Sequence, residues 1–392
     1  MTESVVLDVI LGVLLIGYLV YGLRHGLTRS GAVIAGVVAA LVGAWFLVPL
    51  VWAWIPFPVL RPLAAILLVL GLVAAGHALG SAIGHALRRG VSRTPLGWID
   101  RLLGGAATVV VAALVASVVA SSLSTLGVPM LSRAITGSTV LRTISAVAPD
   151  PVEAWLAQVR AFVVERGIPT ITGTLGAGTP VIPRIDTGSA ALDAAAASVV
   201  RITGNAYACG VAQSGSGFVV ADDRIITNAH VVAGVTEPVV EALNGEVLAG
   251  RVVYFDPVDD LAVILVPGLT PPPLTLASDL PAGSDAAIQG YPFGGPISTL
   301  PADVMRVSIA PVRDIYDEST APREVFTLAA EVREGNSGGP LLTLAGEVAG
   351  VVFARDGADD QVGYAMTRTE FGPVATTAAT LDEPVSTGAC LG

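Results

Sequence analysis

The first 126 residues hold four apolar runs, at about 5–23, 31–52, 60–82 and 102–126, and only three acids, Glu3, Asp8 and Asp100. Each run approaches the ~20 residues that a helix needs to cross a bilayer core. In lipid every backbone polar group must be satisfied internally, so spans of this composition are helices. The runs therefore predict an N-terminal all-α transmembrane bundle of four helices over residues 1–126. The first run is too long, and its flanks too acidic, for a cleaved signal peptide, and more spans follow it.

Arginine sets the orientation. The chain has no lysine, and all 21 of its basic residues are arginine. Arg24 and Arg29 fall in the first connection, Arg88, Arg89, Arg93 and Arg101 in the third, and only Arg61 in the second. The positive-inside rule makes the first and third connections cytoplasmic and puts both termini outside. Everything after residue 126 is then extracytoplasmic, in a cell (inner) membrane protein of multi-pass type. Charge reverses at the same place: residues 1–126 carry net +4 and residues 127–392 net −15. So acidic a soluble part argues against nucleic acid as a partner and leaves the lipid bilayer and proteins.

Small residues suggest a packed bundle. Gly76, Gly80 and Gly84 recur every four residues, as do Gly104, Thr108, Ala112 and Ala116, a spacing that lets helix backbones approach closely. His77, Ser81 and His85 form a second stripe, readable as a proton-sensitive face or as interhelical hydrogen bonding. Two segments, Gly22-Leu23-Arg24-His25-Gly26-Leu27 and Gly97-Trp98-Ile99-Asp100-Arg101-Leu102-Leu103-Gly104, resemble the colicin V production family of four-span membrane proteins. That resemblance covers roughly residues 5–165 and implies a topology but little mechanism.

Residues 127–190 read as a periplasmic linker. Trp155, Val159, Phe162 and Val163 recur at helical spacing, predicting one amphipathic helix over 151–167. The Pro-, Gly- and Thr-rich stretch 168–189 reads as an extended tether and as a site for self-cleavage.

Residues 191–392 are of a size for one β-rich domain, with nine short runs between 217 and 353 separated by turns. Within them stand Thr227-Asn228-Ala229-His230-Val231, Asp256-Pro257-Val258-Asp259-Asp260-Leu261-Ala262-Val263 and Gly335-Asn336-Ser337-Gly338-Gly339-Pro340. The last can expose a hydroxyl while aiming backbone N–H groups at one point, as an oxyanion hole requires. His230 is the one histidine outside the membrane region, since His25, His77 and His85 lie in it. The three motifs, in the order His, Asp, Ser, resemble trypsin-like proteases of the HtrA type. The resemblance implies an all-β chymotrypsin-like double β-barrel over 191–392 and a triad of His230, Asp260 and Ser337. The oxyanion hole would come from Gly335, Asn336 and Ser337. Asp256 and Asp259 remain alternative acids; Asp260 is preferred because it directly precedes Leu261-Ala262-Val263. Glu331 aligns with the base of the S1 pocket in such enzymes, which would favour a basic P1 residue.

An extracytoplasmic location permits a disulfide between Cys209 and Cys390, the two cysteines of the chain. Over its full length the sequence resembles mycobacterial membrane-anchored periplasmic serine proteases of the acid-resistance type. That resemblance implies the Cys209–Cys390 disulfide and protection in acid and oxidative stress. It also implies processing of cell-envelope proteins such as a peptidoglycan hydrolase. No cofactor and no metal are expected. The competing reading is a transport, secretion or scaffold protein whose protease-like domain only holds peptides.

Overall fold

The computed structural model describes residues 2–54, 61–91, 97–124, 129–147, 169–171, 179–206 and 211–391. It divides into two compact units, residues 6–117 and residues 118–392 together with 1–5. The amphipathic helix expected over 151–167 lies outside the described residues.

Three helices build the first unit: α1 (Thr2–Trp54), α2 (Arg61–Val91) and α3 (Gly97–Ser124). All three are long and apolar enough to cross a membrane. Val9, Val13, Ile16 and Phe46 are each more than half exposed, a surface that lipid covers and water does not tolerate. The first and second expected spans appear as one element, but it is broken at Gly26, whose φ of 75° and ψ of 164° are not helical. The two segments whose sequences carry the colicin V resemblance meet at this break. Asp100 of α3 accepts hydrogen bonds from the Thr28 amide (2.8 Å) and the Thr28 hydroxyl (2.6 Å). It thereby caps the restarted helix in trans, satisfying a donor that the break orphans. A side chain at 26 would also collide with the Asp100 carboxylate.

The small-residue stripes pack as expected. Gly36 lies against Gly76, Gly80 against Ala32 and Val33, and Gly104 against Gly22, while Thr108 donates to Tyr18 O at 2.8 Å. Of the polar stripe, Ser81 accepts from Arg29 Nη2 across helices (3.3 Å). His77 and His85 are exposed, and His85 Nδ1 lies 3.2 Å from Ser81 O of its own helix.

The second unit is β-rich. Strand β1 (Thr170–Ile171) comes from the tether. A first sheet holds β2 (Val199–Ala206), β3 (Val211–Ala221), β4 (Arg224–Thr227), β5 (Val239–Ala242), β6 (Val247–Ala249), β7 (Arg251–Asp256) and β8 (Leu261–Leu265), in the order β6-β5-β2-β3-β4-β8-β7. The second holds β9 (Asp285–Gly290), β10 (Ser298–Arg313), β11 (Thr320–Ala329), β12 (Pro340–Leu342), β13 (Val348–Asp356) and β14 (Val362–Thr367), in the order β1-β13-β12-β9-β10-β11-β14. Because β13 pairs with both β12 and β14, the second sheet returns on itself. The first is strongly curled, and β6 and β7 at its ends do not pair among the described residues. The architecture is that of a chymotrypsin-like domain with curled sheets.

Each sheet encloses its own apolar cluster, around Ile202, Ile225 and Ile264 in the first and Ile288, Phe326 and Leu328 in the second. A third cluster joins them, with Phe218, Ile226 and Val263 packing against Val351, Phe353 and Met366. Phe371, from the helix Arg368–Thr377, meets Phe218 edge-on at 6.4 Å, a geometry that favours aromatic pairs. At the same junction Arg201 of β2 is ion-paired with its cross-strand neighbour Glu241 and donates to Gly294 O at 2.6 Å. Both side chains are nearly inaccessible, at 11% and 4% exposure. Glu241→Ala would strand the Arg201 charge in the interior. Chemical denaturation should show a loss of about 3–5 kcal/mol, the usual cost of breaking a buried pair from one side.

Candidate active site

The segment Gly335–Pro340 leads into β12 and is folded into a tight, buried turn. The Asn336 amide donates to Arg333 O (3.0 Å) and the Gly339 amide to Asn336 O (2.9 Å), while Gly338 donates to Val352 O (2.8 Å). Gly338 has a φ of 81° and lies against Ser216 O, Thr227 Oγ1 and Asn228 N. A left-handed backbone and that crowding both exclude a side chain.

Ser216, fully buried in β3, ties this turn to the first sheet. Its amide donates to Ser337 O (2.8 Å) and its hydroxyl to Gly335 O (2.6 Å). The same hydroxyl accepts from the Tyr291 amide (2.9 Å), and Ser216 O accepts from Thr227 Oγ1 (2.7 Å). The Gly335–Pro340 turn of one sheet is thus bolted beside the strand of the other that leads to His230.

The neighbouring peptide is locked as well. Phe293, in the turn Pro292–Gly294 with a φ of 54°, donates its amide to Glu334 O at 2.6 Å. In a trans peptide the N–H points opposite to the carbonyl, so the Gly335 amide faces away from that turn. Neither the Gly335 nor the Ser337 amide has an acceptor among the described residues. The Asn336 side chain is fully buried and its amide is committed to Arg333 O, which leaves the Gly335 and Ser337 amides as the two that can meet an oxyanion.

His230 sits on the one-turn helix Ala229–Val232 that follows β4. Asp260 lies in the β7–β8 turn with a left-handed φ of 55°. Two contacts hold it there. Asp256 Oδ1 accepts from the amides of Val258 (2.8 Å) and Asp259 (3.0 Å), and Asn228 Nδ2 donates to Asp260 O (2.9 Å). The Asp260 carboxylate accepts from the His230 amide (3.0 Å) and lies 2.8 and 3.0 Å from His230 Nδ1. With Nδ1 donating, Nε2 keeps its lone pair. Of the three aspartates that the sequence offered, Asp260 is the one on the imidazole. Asp256 is spent on the turn and on Tyr254 Oη (3.3 Å), and burial, reinforced by Asp256, pushes the Asp259 carboxyl up. Burial, then the Asp256 charge, likewise pushes Tyr254 up to about 12.

Ser337 is 3% exposed, and its hydroxyl has no hydrogen-bond partner among the described residues. The Ser337–His230 bond is not made in this structure. In unliganded enzymes such bonds are often open and tighten with substrate. Glu331 is exposed and bonded to Arg333 Nε (2.9 Å) and Nη2 (2.5 Å). In this structure its carboxylate is paired with a partly exposed arginine. The carboxylate drawn into the protein is Glu334, which burial pushes up against the opposing pull of Arg355.

Beside the imidazole lies a cavity of about 530 Å³, lined by His230, Asp260, Arg323, Phe353 and the stretch 311–317. Tether residues 169–171 line it too, with β1 running parallel to the end of β13. Arg355 N donates to Pro169 O and Gly357 N to Ile171 O, both at 3.1 Å. The edge of β13 thus carries the extended tether residues along the cavity that His230 also lines.

An imidazole bonded to a buried carboxylate, a glycine-turn serine and two unspent amides on paired curled sheets define the trypsin-like class of serine proteases. Residues 215–351 match the trypsin-like peptidase domain family and residues 7–149 the colicin V production protein family. The serine protease Rv3671c of Mycobacterium tuberculosis is 34% identical over 403 aligned positions, covering all of both chains. The crystal structure of its active form is similar with a TM-score of 0.52 at 37% identity, over 55% of this chain and 97% of that one. A probable periplasmic serine endoprotease, DegP-like, from Halomonas elongata is 38% identical over 149 residues, 36% of this chain and 30% of that one. The chain belongs to the family of HtrA-like serine proteases that join a colicin V production-type region to a trypsin-like peptidase domain.

Ser216, Asn228, Phe293 and Arg323 were not singled out from the sequence. Asn228 stands inside the Thr227–Val231 motif, and Gly215-Ser216-Gly217 is a pattern that can mark close backbone approach. Ser216→Ala would leave Gly335 O and the Tyr291 amide unpaired. It should cost about 1–3 kcal/mol in thermal unfolding and lower kcat roughly 10–100-fold at little-changed KM, as expected when reacting groups are displaced.

Proposed function

We propose that the protein is a membrane-anchored, extracytoplasmic serine endopeptidase working through His230, Asp260 and Ser337. Ser337 Oγ attacks the scissile carbonyl while His230 Nε2 takes its proton. The tetrahedral oxyanion is met by the amides of Gly335 and Ser337. Collapse breaks the C–N bond as His230 returns the proton to the leaving amine. Water then repeats the sequence on the acyl-enzyme, and Asp260 stabilises the imidazolium in both halves. The observation that carries this reading is the His230–Asp260 pair, bonded through both the amide and Nδ1 and leaving Nε2 unspent.

The anchoring reading is four spans. Helix α1 has 53 residues, about 80 Å at 1.5 Å per residue against a hydrocarbon core of about 30 Å. Its break at Gly26 falls between Arg24 and Arg29, where a cytoplasmic turn would lie. Proteinase added to spheroplasts should remove the domain beyond residue 190 and spare it in inverted vesicles; the reverse pattern would refute the orientation.

Cys390 is proposed to pair with Cys209, which lies outside the described residues. The tail is already brought to the first sheet there, with the Gly234 amide donating to Thr387 O at 3.0 Å and Thr387 Oγ1 to Val235 O at 3.0 Å. The resemblance to acid-resistance proteases supports a role in acid and oxidative stress through processing of cell-envelope proteins, a peptidoglycan hydrolase among them. The tether stretch 168–189 is the proposed self-cleavage site.

Turnover of a fluorogenic peptide by the detergent-solubilised full chain tests the chemistry. Ser337→Ala should abolish activity above background, and Asp260→Asn should lower kcat by about 10⁴, as loss of the correct tautomer does in other triads. Undiminished turnover in Ser337→Ala would refute the assignment. In cell envelopes the same variant should retain substrates that the wild type releases.

A further inference from the structure

We infer that Arg323 is a positioning residue for Asp260: a buried, fixed cation that serves as the counter-charge of the triad acid across the cavity and holds the turn that presents it. The inference rests on the triad reading above.

Arg323 is 1% exposed and heads the largest fully buried side chains. It lacks what buried arginines ordinarily have. Arg201 and Arg224 each reach a carboxylate, Glu241 and Asp382 respectively, but Arg323 has none within 4.0 Å among the described residues. Its guanidinium donates to Arg313 O (2.7 Å) and Asp259 O (3.4 Å), lies 5.5 Å over the Phe353 ring and leaves Nε unpartnered. Carbonyls and a ring face orient the cation but supply no opposite charge.

Asp260 has the complementary deficit. Its side chain is 4% exposed, and every donor to its carboxylate among the described residues belongs to His230. While His230 is the neutral base, that buried carboxylate has no cation in contact. Two uncompensated buried charges of opposite sign line one cavity, and isolating either is strongly unfavourable. The Arg323–Asp259 contact also ties β11 to the turn in which Asp260 holds its left-handed backbone.

The other charges around the pair are hydrogen-bonded or partly exposed, and Arg323 also pulls on the Asp259 carboxylate. In the β7–β8 turn, Asp256 is bonded to two amides and to Tyr254, and Asp259 is partly exposed. Glu370 accepts from the Glu324 amide at 2.7 Å. Elsewhere in the cavity lining, Arg313 pairs with Asp317 (3.5 Å), and Asp314 accepts from the Ser319 hydroxyl (2.6 Å) and the Tyr316 amide (2.9 Å). Burial lowers the Arg323 guanidinium, and Asp260 leads the opposing charges, ahead of Asp259, Glu370 and Asp256.

Removing the cation should make His230 easier to protonate, so the acid limb of the kcat/KM profile moves to higher pH. For the full chain in detergent, Arg323→Gln should shift that limb upward by roughly 0.5–1 pH unit, the scale of losing one charge from the cavity lining. Arg323→Lys, which keeps the charge, should return most of the shift. A limb that stays in place while the whole profile drops uniformly would mean that Arg323 only packs, and would overturn the inference. Thermal unfolding gives a readout independent of catalysis. Arg323→Gln should lower the midpoint in the wild-type background and raise it in Asp260→Asn, where the cation has lost its counter-charge. Folding only in the Asp260→Asn background is the same supporting result. An equal loss in both backgrounds, or folding in neither, overturns it. Failure of the triad reading would show separately, as full activity in Asp260→Asn alone.

Discussion

Everything that the second unit does depends on Ser216. A protease built from two sheets must hold its nucleophile, carried by one, against its base, carried by the other, to within a fraction of an ångström. Apolar packing between Phe218, Val263, Phe353 and Met366 supplies adhesion but little directionality. Direction comes from one buried residue whose amide, hydroxyl and carbonyl are all used, on Ser337 O, Gly335 O, the Tyr291 amide and Thr227 Oγ1. In a low-dielectric interior each of those bonds is costly to leave unmade, so the turn has one orientation open to it. The Phe293–Glu334 bond then aims the Gly335 amide. The site is preorganised by a few short contacts on rigid strands.

The membrane unit solves a similar problem by different means. Between apolar helices in lipid there is no hydrophobic drive to associate, so small residues and isolated polar contacts decide the packing. Gly36 on Gly76 and Gly22 on Gly104 bring backbones together. Asp100 fixes the break at Gly26 by capping Thr28. A carboxylate in such an apolar setting is expensive, and here its acceptor capacity is used to restart a helix.

Chemistry was more legible in the sequence than placement. Composition gave the apolar helical region because lipid admits few alternatives, and the glycine periodicity gave its contacts because the close approach of helices requires small residues at that spacing. The join of the first two runs into one broken helix was not readable, since a single glycine with positive φ leaves no mark in hydropathy. In the β-rich unit, β2, β5 and β14 escaped notice: they are buried on both faces and lack the alternation that signals a half-exposed strand. His230, Asp260 and Ser337 stood out because they occupy tight motifs in a fixed order, and His230 because the chain has only four histidines. Arg323 and Phe293 did not, because their roles come from contacts between strands far apart in the chain. Adjacency to the nucleophile did not free the Asn336 amide, and the Glu331 carboxylate is paired with Arg333.

The most direct measurement is a crystal structure of the full chain after reaction with a fluorophosphonate. The adduct should sit on Ser337 Oγ, with its phosphonyl oxygen about 2.7–3.1 Å from the amides of Gly335 and Ser337. His230 Nε2 should be within hydrogen-bonding distance of that oxygen bridge, and the four Ser216 contacts should be unchanged. An adduct on another residue, or one on Ser337 whose oxygen points away from both amides, would contradict the account.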